Sequence, residues 1–413
     1  MRQSIIFILY LLCTFTARSQ SALTPEQTGS IYYAYPVPSS TYTPAPAGYE
    51  PFYISHYGRH GSRWMTADER YTEVICVFDS LYQCSELTPL GVDVRERLHK
   101  VWEDARGCSG SITPLGERQH REIAERMHHN FPQVFRGDAF IDARSSTSLR
   151  CAMSMSYFTE RLKELNPGLQ VNRRAYHRYM DYIAYTSPEG EKFASEKAPW
   201  RRSFREFEKK NVRPERLMAS LFVKPEAITD QDAMMRSLYW IAADMQNVEL
   251  DLSFYDIFEY EELVGVWKTV NARMYVCNAA APLNGGLMPR CAVPLLRNIL
   301  ESADAAIEKG TPAADLRFGH DTHLIRLLAL MQIEGCSNQE VDMEKFHLAW
   351  QDYRVSPMGA NLQLIFYRDK KNNILVKFLL NECEVTLPLK SKMVPYYSWK
   401  EVETFLAEII GKE

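Results

Sequence analysis

The chain has 413 residues, 46% of them hydrophobic and 24% charged, with a formal net charge of −4. That composition excludes a disordered or coiled chain and suits a globular protein of one large or two moderate domains. The slight acidic balance argues against a nucleic-acid partner, which would call for a basic excess.

Met1 and Arg2 precede an apolar run from Ile5 to Thr16, with small residues Ala17 and Ser19 just beyond. This reads as a secretory signal peptide over residues 1–19, so the mature protein is expected to be exported, periplasmic or secreted. The run is shorter than the roughly 20 apolar residues of a membrane span, and no later segment is long enough to cross a bilayer. Cys13 aside, eight cysteines remain, Cys76, Cys84, Cys108, Cys151, Cys277, Cys291, Cys336 and Cys383. An even count in an exported chain permits disulfides, without fixing any pairing, and buried free thiols are the other reading. No CxxC pair has metal-ligand spacing, so no metal site is expected.

Residues 20–50 form the next unit. Between Ile31 and Tyr49 they are rich in Pro, Ser, Thr and Tyr, which predicts an extended arm without regular structure, tied down by its tyrosines. Phe52-Tyr53-Ile54-Ser55-His56-Tyr57 then predicts a buried strand that stops at Gly58-Arg59-His60-Gly61-Ser62-Arg63. In open α/β sheets ligands collect at the carboxyl ends of strands. An imidazole between guanidinium groups can attack phosphorus while the planar forks hold phosphoryl oxygens, and Gly61 lets the backbone approach a ligand. A solvated basic loop is the plainer reading of the same residues.

Residues 71–107 alternate helical patterns with turns and carry no readable motif. At Thr113-Pro114-Leu115-Gly116-Glu117-Arg118-Gln119-His120 a capping threonine and a first-turn proline open a helix, with Ile123, Met127 and Phe131 at helical spacing. Its histidines at 120, 128 and 129 read as a solvated face. A second strand, 139–143, runs into Arg144-Ser145-Ser146-Thr147-Ser148-Leu149-Arg150-Cys151 and a helix. A repeated strand-to-cationic-loop pattern points to a shared anion site. From 166 to 312 strand alternation fades and a mostly helical insertion is expected, with basic clusters at Arg173, Arg174, His177, Arg178 and at Arg201, Arg202, Arg205 that read as solvated faces or a polyanion-attracting rim. A third strand end carries His320-Asp321-Thr322 into a helix. A carboxylic acid there can protonate a leaving alkoxide and the histidine can donate to phosphate, while an N-capping Asp is the structural alternative. Strands at 361–367 and 374–380 read as a closing hairpin, followed by a helix near 399–410. The expected architecture is α/β, a mixed central sheet with helices on both faces built from 51–165 and 313–413, plus a smaller, mostly helical cap domain at 166–312.

Together these pieces resemble the histidine acid phosphatase family, branch 2 of the histidine phosphatase superfamily. Its Arg-His-Gly-x-Arg is similar to Arg59–Arg63, its Thr-x-x-Gly-x-x-Gln to Thr113–Gln119, its paired arginines to Arg144 and Arg150, its His-Asp-Thr to 320–322, and its late Asn-x-x-x-Val-x-Leu-Pro to Asn381, Val385, Leu387 and Pro388. The resemblance spans 51–388. It departs at Met65, where the family often has proline. Gly48-Tyr49 with Pro51, and Arg150-Cys151, look like the multiple inositol polyphosphate phosphatase branch, whereas His320-Asp321-Thr322 looks like bacterial phytases and ordinary acid phosphatases.

The resemblance implies His60 as nucleophile, Asp321 as proton donor, and Arg59, Arg63, Arg150 and His320 as phosphoryl ligands, with Thr66 and Thr322 as candidate substrate-pocket residues and Arg144 structural. It implies an acidic optimum and neither cofactor nor metal, the arginines supplying the positive charge. The substrate implied is a small-molecule phosphate ester, an inositol polyphosphate such as phytate. A broad-specificity acid or sugar phosphatase is the alternative, and a phospholigand-binding protein without turnover a further one.

Overall fold

The computed structural model describes residues 22–38 and 41–411. The expected signal peptide at 1–19 lies outside the described residues. Among the described residues a sheet of eight strands runs in the order β3-β2-β4-β1-β5-β6-β7, with β8 pairing to β6. These strands are β1 Glu50–Arg59, β2 Phe140–Ser145, β3 Gln170–Arg174, β4 Ala314–Gly319, β5 Asn361–Arg368, β6 Ile374–Leu380, β7 Cys383–Val385 and β8 Tyr396–Ser398. β1, β2, β3 and β4 are parallel, and β5 opens the antiparallel part by pairing with β1. The sheet is therefore mixed, as the sequence predicts, and no helix among the described residues is long and apolar enough to cross a membrane.

β1 is central, and its side chains alternate between two cores. Tyr53 and Tyr57 pack into one core with helices α6 (Tyr260–Asn278), α7 (Val293–Lys309), α8 (Asp321–Leu330) and α9 (Trp399–Gly411). Ile54 faces the other, against α3 (Pro114–Asn130) and α4 (Leu149–Leu165). That period-two division is what a strand buried on both faces requires. The hairpin turn between β5 and β6 is fastened by Asp369, whose Oδ1 accepts from the Lys371 and Asn373 amides, both at 2.8 Å. α3 begins as its sequence predicts: the Thr113 side chain accepts from the Gly116 amide, with Pro114 in the first turn.

A third core joins α1 (Glu69–Gln83), α2 (Pro89–Ala105), α5 (Gln231–Asp244) and the first half of α6. α1 and α2, grouped by sequence with the sheet, thus share their apolar faces with helices of the 166–312 insertion. That insertion also contributes β3 to the sheet edge, where sequence led to an expectation of helix. β3 reads Gln-Val-Asn-Arg-Arg, and as an edge strand it buries too little for hydrophobic alternation to appear. Cys151, Cys277, Cys291 and Cys336 are buried free thiols, in keeping with the second reading of the cysteines.

Candidate active site

The register of the sheet assembles the site. Gly58 pairs with Phe318 and Arg59 with Gly319, while Ser145 lies opposite Phe318 on the other edge of β4. Three motifs far apart in sequence, at 59–63, 144–150 and 320–322, therefore leave neighbouring strands at the same edge. Each ends a parallel strand, and the carboxyl edge of such strands is where open α/β sheets place ligands.

His60 follows β1 directly and is 3% exposed. Its Nδ1 lies 3.0 Å from the Gly61 carbonyl oxygen. A carbonyl only accepts, so Nδ1 carries the hydrogen and the Nε2 lone pair is left free. Burial and the Arg59, Arg63 and Arg150 charges push the imidazole well below its ordinary value, so it stays neutral in acid. A neutral, oriented imidazole is a nucleophile.

The loop carrying His60 is fastened to the start of α3. The Thr113 amide donates to the Ser62 carbonyl at 3.0 Å, and the Ser62 amide donates to Gln119 Oε1 at 2.9 Å. Gly61 is required by this packing: a Cβ there would stand 2.7 Å from the Gly116 carbonyl oxygen and 3.0 Å from His120 Cδ2. Its small size thus serves close approach to α3, a demand the sequence reading did not identify. His120 is likewise buried, not solvated, because it shares the inward face of α3 with Ile123 and Met127.

Three guanidinium groups surround the imidazole. Arg59 is fully buried, its Nη1 donating to the carbonyls of Ile31 at 2.6 Å and Ser356 at 2.7 Å. Arg63 donates from Nη1 and Nη2 to the Tyr32 hydroxyl at 3.1 and 3.2 Å. Arg150 Nη2 stands 3.4 Å from His320 Nδ1. The Nε groups of all three are buried without a hydrogen-bond partner. Burial, with help from neighbouring arginines, lowers Arg59 to about 10 and also lowers Arg150. Such groups are poised for an anion, since buried donors without acceptors cost free energy.

The carboxylate facing this charge is Asp321, whose Oδ2 is 3.2 Å from Arg59 Nη2 with the side chain 15% exposed. Asp321 is the first helical residue of α8 rather than its cap, and its Oδ1 accepts from the Thr322 amide at 2.8 Å. Burial alone would raise this carboxyl, but Arg59, His320, the Thr322 amide and Arg63 together hold it below the ordinary value. Burial and Arg150 lower His320 to about 4. Its Nδ1 can only accept from arginine, which directs the Nε2 hydrogen toward Ser146 Oγ at 3.3 Å. Donation from His320 to a phosphoryl oxygen therefore needs the Nε2 hydrogen to leave Ser146 for the ligand, while Nδ1 keeps its contact with Arg150.

The structure brings together His60, Arg59, Arg63, Arg150, His320 and Asp321. Thr66 is exposed and lies across Gly110 from Arg150: a Cβ on Gly110 would be 3.9 Å from both Thr66 Cα and Arg150 Nη1. Thr322 shares a hydroxyl contact of 3.2 Å with His323 Nδ1. Three residues of the insertion's basic clusters are spent on structure, while His177, Arg178, Arg202 and Arg205 are exposed, as a solvated face would be. Arg173 donates to Thr159, Arg174 pairs with Asp142, and Arg201 stacks on Trp200 beside Glu196. Sequence reading missed the groups that hold the arginines. Tyr32 meets Arg63, Asn247 accepts from Ser62 Oγ at 2.7 Å, and Asp244 accepts from the Tyr71 hydroxyl, which in turn accepts from the Met65 amide. Burial pushes the Asp244 carboxyl up to about 7 despite the pull of Arg63 and Tyr71. Only Tyr32 had a signal, as one of the tyrosines of the arm.

The chain matches the family model for the histidine phosphatase superfamily (branch 2) over residues 59–381. It matches no curated protein sequence. Among solved structures it is similar to the Bifidobacterium longum multiple inositol polyphosphate phosphatase in complex with phosphate, at TM-score 0.80 and 18% identity, covering 92% of this chain and 97% of that one. It is also similar to the phytase from D. castellii, at TM-score 0.70 and 16% identity over 94% and 85% of the chains, and to the Hafnia alvei phytase in complex with tartrate, at 0.55 and 14% over 88% and 98%. At these identities the structural likeness speaks for the fold, while the family match speaks for the chemistry. The chain belongs to the histidine phosphatase superfamily (branch 2), and it is a phosphoric monoester hydrolase.

Proposed function

We propose that the protein is an exported histidine acid phosphatase that removes phosphate from inositol polyphosphates such as phytate through a phosphohistidine intermediate. The observation that carries the mechanism is the buried, neutral His60 with Nδ1 tied to the Gly61 carbonyl, inside a ring of three guanidinium groups. The phosphoryl group sits among Arg59, Arg63 and Arg150, and Nε2 attacks phosphorus in line with the ester oxygen. The N–P bond forms as the P–O bond breaks, and the leaving alkoxide takes the proton of Asp321. Water then attacks phosphorus and gives its proton to the Asp321 carboxylate, and inorganic phosphate leaves with His60 restored.

Asp321 must be protonated for the first step, and the surrounding cations favour its ionised form, which places the activity at acidic pH. Negative charge on bound substrate raises the carboxyl and eases that requirement. His60 remains unprotonated in the same range, so the two demands are compatible. Export is supported by the leader-like residues 1–19. The inositol polyphosphate assignment is supported by likeness to the multiple inositol polyphosphate phosphatase and phytase structures.

The test is phosphate release from inositol hexakisphosphate and from p-nitrophenyl phosphate, side by side at acidic pH with chelator present. Strong preference for the inositol substrate is expected. Equal or better turnover of the simple ester would discard the inositol assignment and leave a broad-specificity acid phosphatase.

A further inference from the structure

Tyr32 belongs to the N-terminal arm, 28 positions before His60 in the sequence, yet it is 4% exposed and stands at the arginine cluster. Its hydroxyl oxygen receives both terminal nitrogens of Arg63, at 3.1 and 3.2 Å. A phenolic oxygen has two lone pairs and one hydrogen. With both lone pairs engaged by Arg63, the hydrogen must point elsewhere, and no acceptor among the described residues takes it.

Its placement is over-determined. The Tyr32 carbonyl accepts from Asn247 Nδ2 at 2.9 Å, and the ring lies 4.9 Å from that of Trp240. On one side Ile31 offers its carbonyl to Arg59, and on the other Tyr33 offers its own to the Met358 amide at 2.8 Å. Two residues earlier, Ser30 adopts φ 59° and ψ −134°, a conformation that a non-glycine residue holds only under constraint, with its Oγ donating to Asp352 Oδ2 at 2.5 Å. A strained turn anchored on both sides, which holds a hydroxyl against an arginine whose buried Nε has no hydrogen-bond partner, is more than an arm needs for packing.

We propose that Tyr32 is a further substrate-contacting residue of this site, its hydroxyl donating to an oxygen of the phosphoryl group that Arg59, Arg63 and Arg150 hold. The phenol also sets the plane of the Arg63 fork, and no bond to it forms or breaks in the reaction. This inference rests on the phosphatase reading of the site.

The experiment is orthovanadate binding by titration calorimetry to the mature protein, its Tyr32→Phe variant, Arg63→Lys and the double variant. Tyr32→Phe keeps the ring and its contact with Trp240, and an unchanged melting temperature confirms that the fold is intact. The expected result is binding about 10- to 100-fold weaker, the scale of a lost hydrogen bond to a charged partner, with most of that loss persisting in the Arg63→Lys background. Unchanged affinity in Tyr32→Phe would overturn the inference. So would an effect that vanishes once Arg63 is replaced, which would leave Tyr32 as a positioning residue only. The phosphatase reading fails separately, if His60→Ala retains turnover of p-nitrophenyl phosphate whatever Tyr32 does.

Discussion

Two arginine-rich regions lie at the same edge of the sheet, and they are built in opposite ways. In one, Arg144 pairs with Asp142 and stands 3.1 Å from Asp315, while Arg174 also pairs with Asp142. The fully buried Arg317 spends its donors on Asn298, Ser55 and Ser302, and Tyr53 donates to Asp315 at 2.9 Å. In the other, Arg59, Arg63 and Arg150 face a single directly paired carboxylate, Asp321, and otherwise meet backbone carbonyls, a phenol and an imidazole. Arginine count does not distinguish them. Compensation does: carboxylates consume Arg144 and Arg174, amide and hydroxyl side chains consume Arg317, and the second set is left with charge and donors to offer an anion.

The largest effect that would break this contrast is at the nucleophile. His60→Ala is expected to lose about 10⁶-fold in turnover, the scale at which removal of a nucleophile has been felt elsewhere, with little change in melting temperature. Asp321→Asn should lose about 10²- to 10⁴-fold in kcat, the range of general acid catalysis, and most on substrates with poor leaving groups. An equal loss on p-nitrophenyl phosphate and on an alkyl phosphate would remove Asp321 from the proton-transfer role.

The compensated region should answer in stability instead. Arg144→Ala leaves the buried Asp142 and Asp315 short of a partner and is expected to cost about 3–5 kcal/mol in denaturant unfolding. Arg63→Ala should cost far less stability and far more phosphate affinity. If the two variants behaved alike in both measurements, the distinction between the regions would collapse.

The smallest expected effect concerns Asp244, behind Arg63. Burial raises its carboxyl from 3.8 to about 7. A carboxyl with a raised folded value favours the fold most at low pH, where it is protonated in both states, and that contribution is lost as pH rises across this window. Asp244→Asn removes the titration, so the fall in melting temperature between these pH values should be shallower than in the wild-type protein. A slope identical to wild type would contradict it.

The strand ends were legible because the chemistry sits in short motifs bounded by strand and helix signals, so His60, Arg150 and Asp321 could each be found locally. Their convergence needed the register, which no sequence pattern states. The supports were harder to see. Tyr32 lies in a proline-rich arm with no periodicity, and its partner Arg63 gives no sign of which tyrosine it meets. Asp244 and Asn247 sit at the end of an ordinary amphipathic helix. α1 and α2 show apolar faces but carry no indication of which helices cover them, so their packing with the insertion was hidden. β3 was missed because polar residues on an edge strand do not alternate. His120 could have been found, since its spacing to Ile123 and Met127 places it on the buried face of α3.

A phosphohistidine mechanism is tested most directly at the covalent bond it requires. Radiolabelled substrate is turned over at acidic pH, quenched within milliseconds into alkali, where phosphohistidine survives, and the labelled peptide is identified. Label is expected on the peptide containing His60 in the wild-type protein and none in His60→Ala. Label on another residue, or rapid turnover with no phosphorylated protein at any quench time, would contradict it.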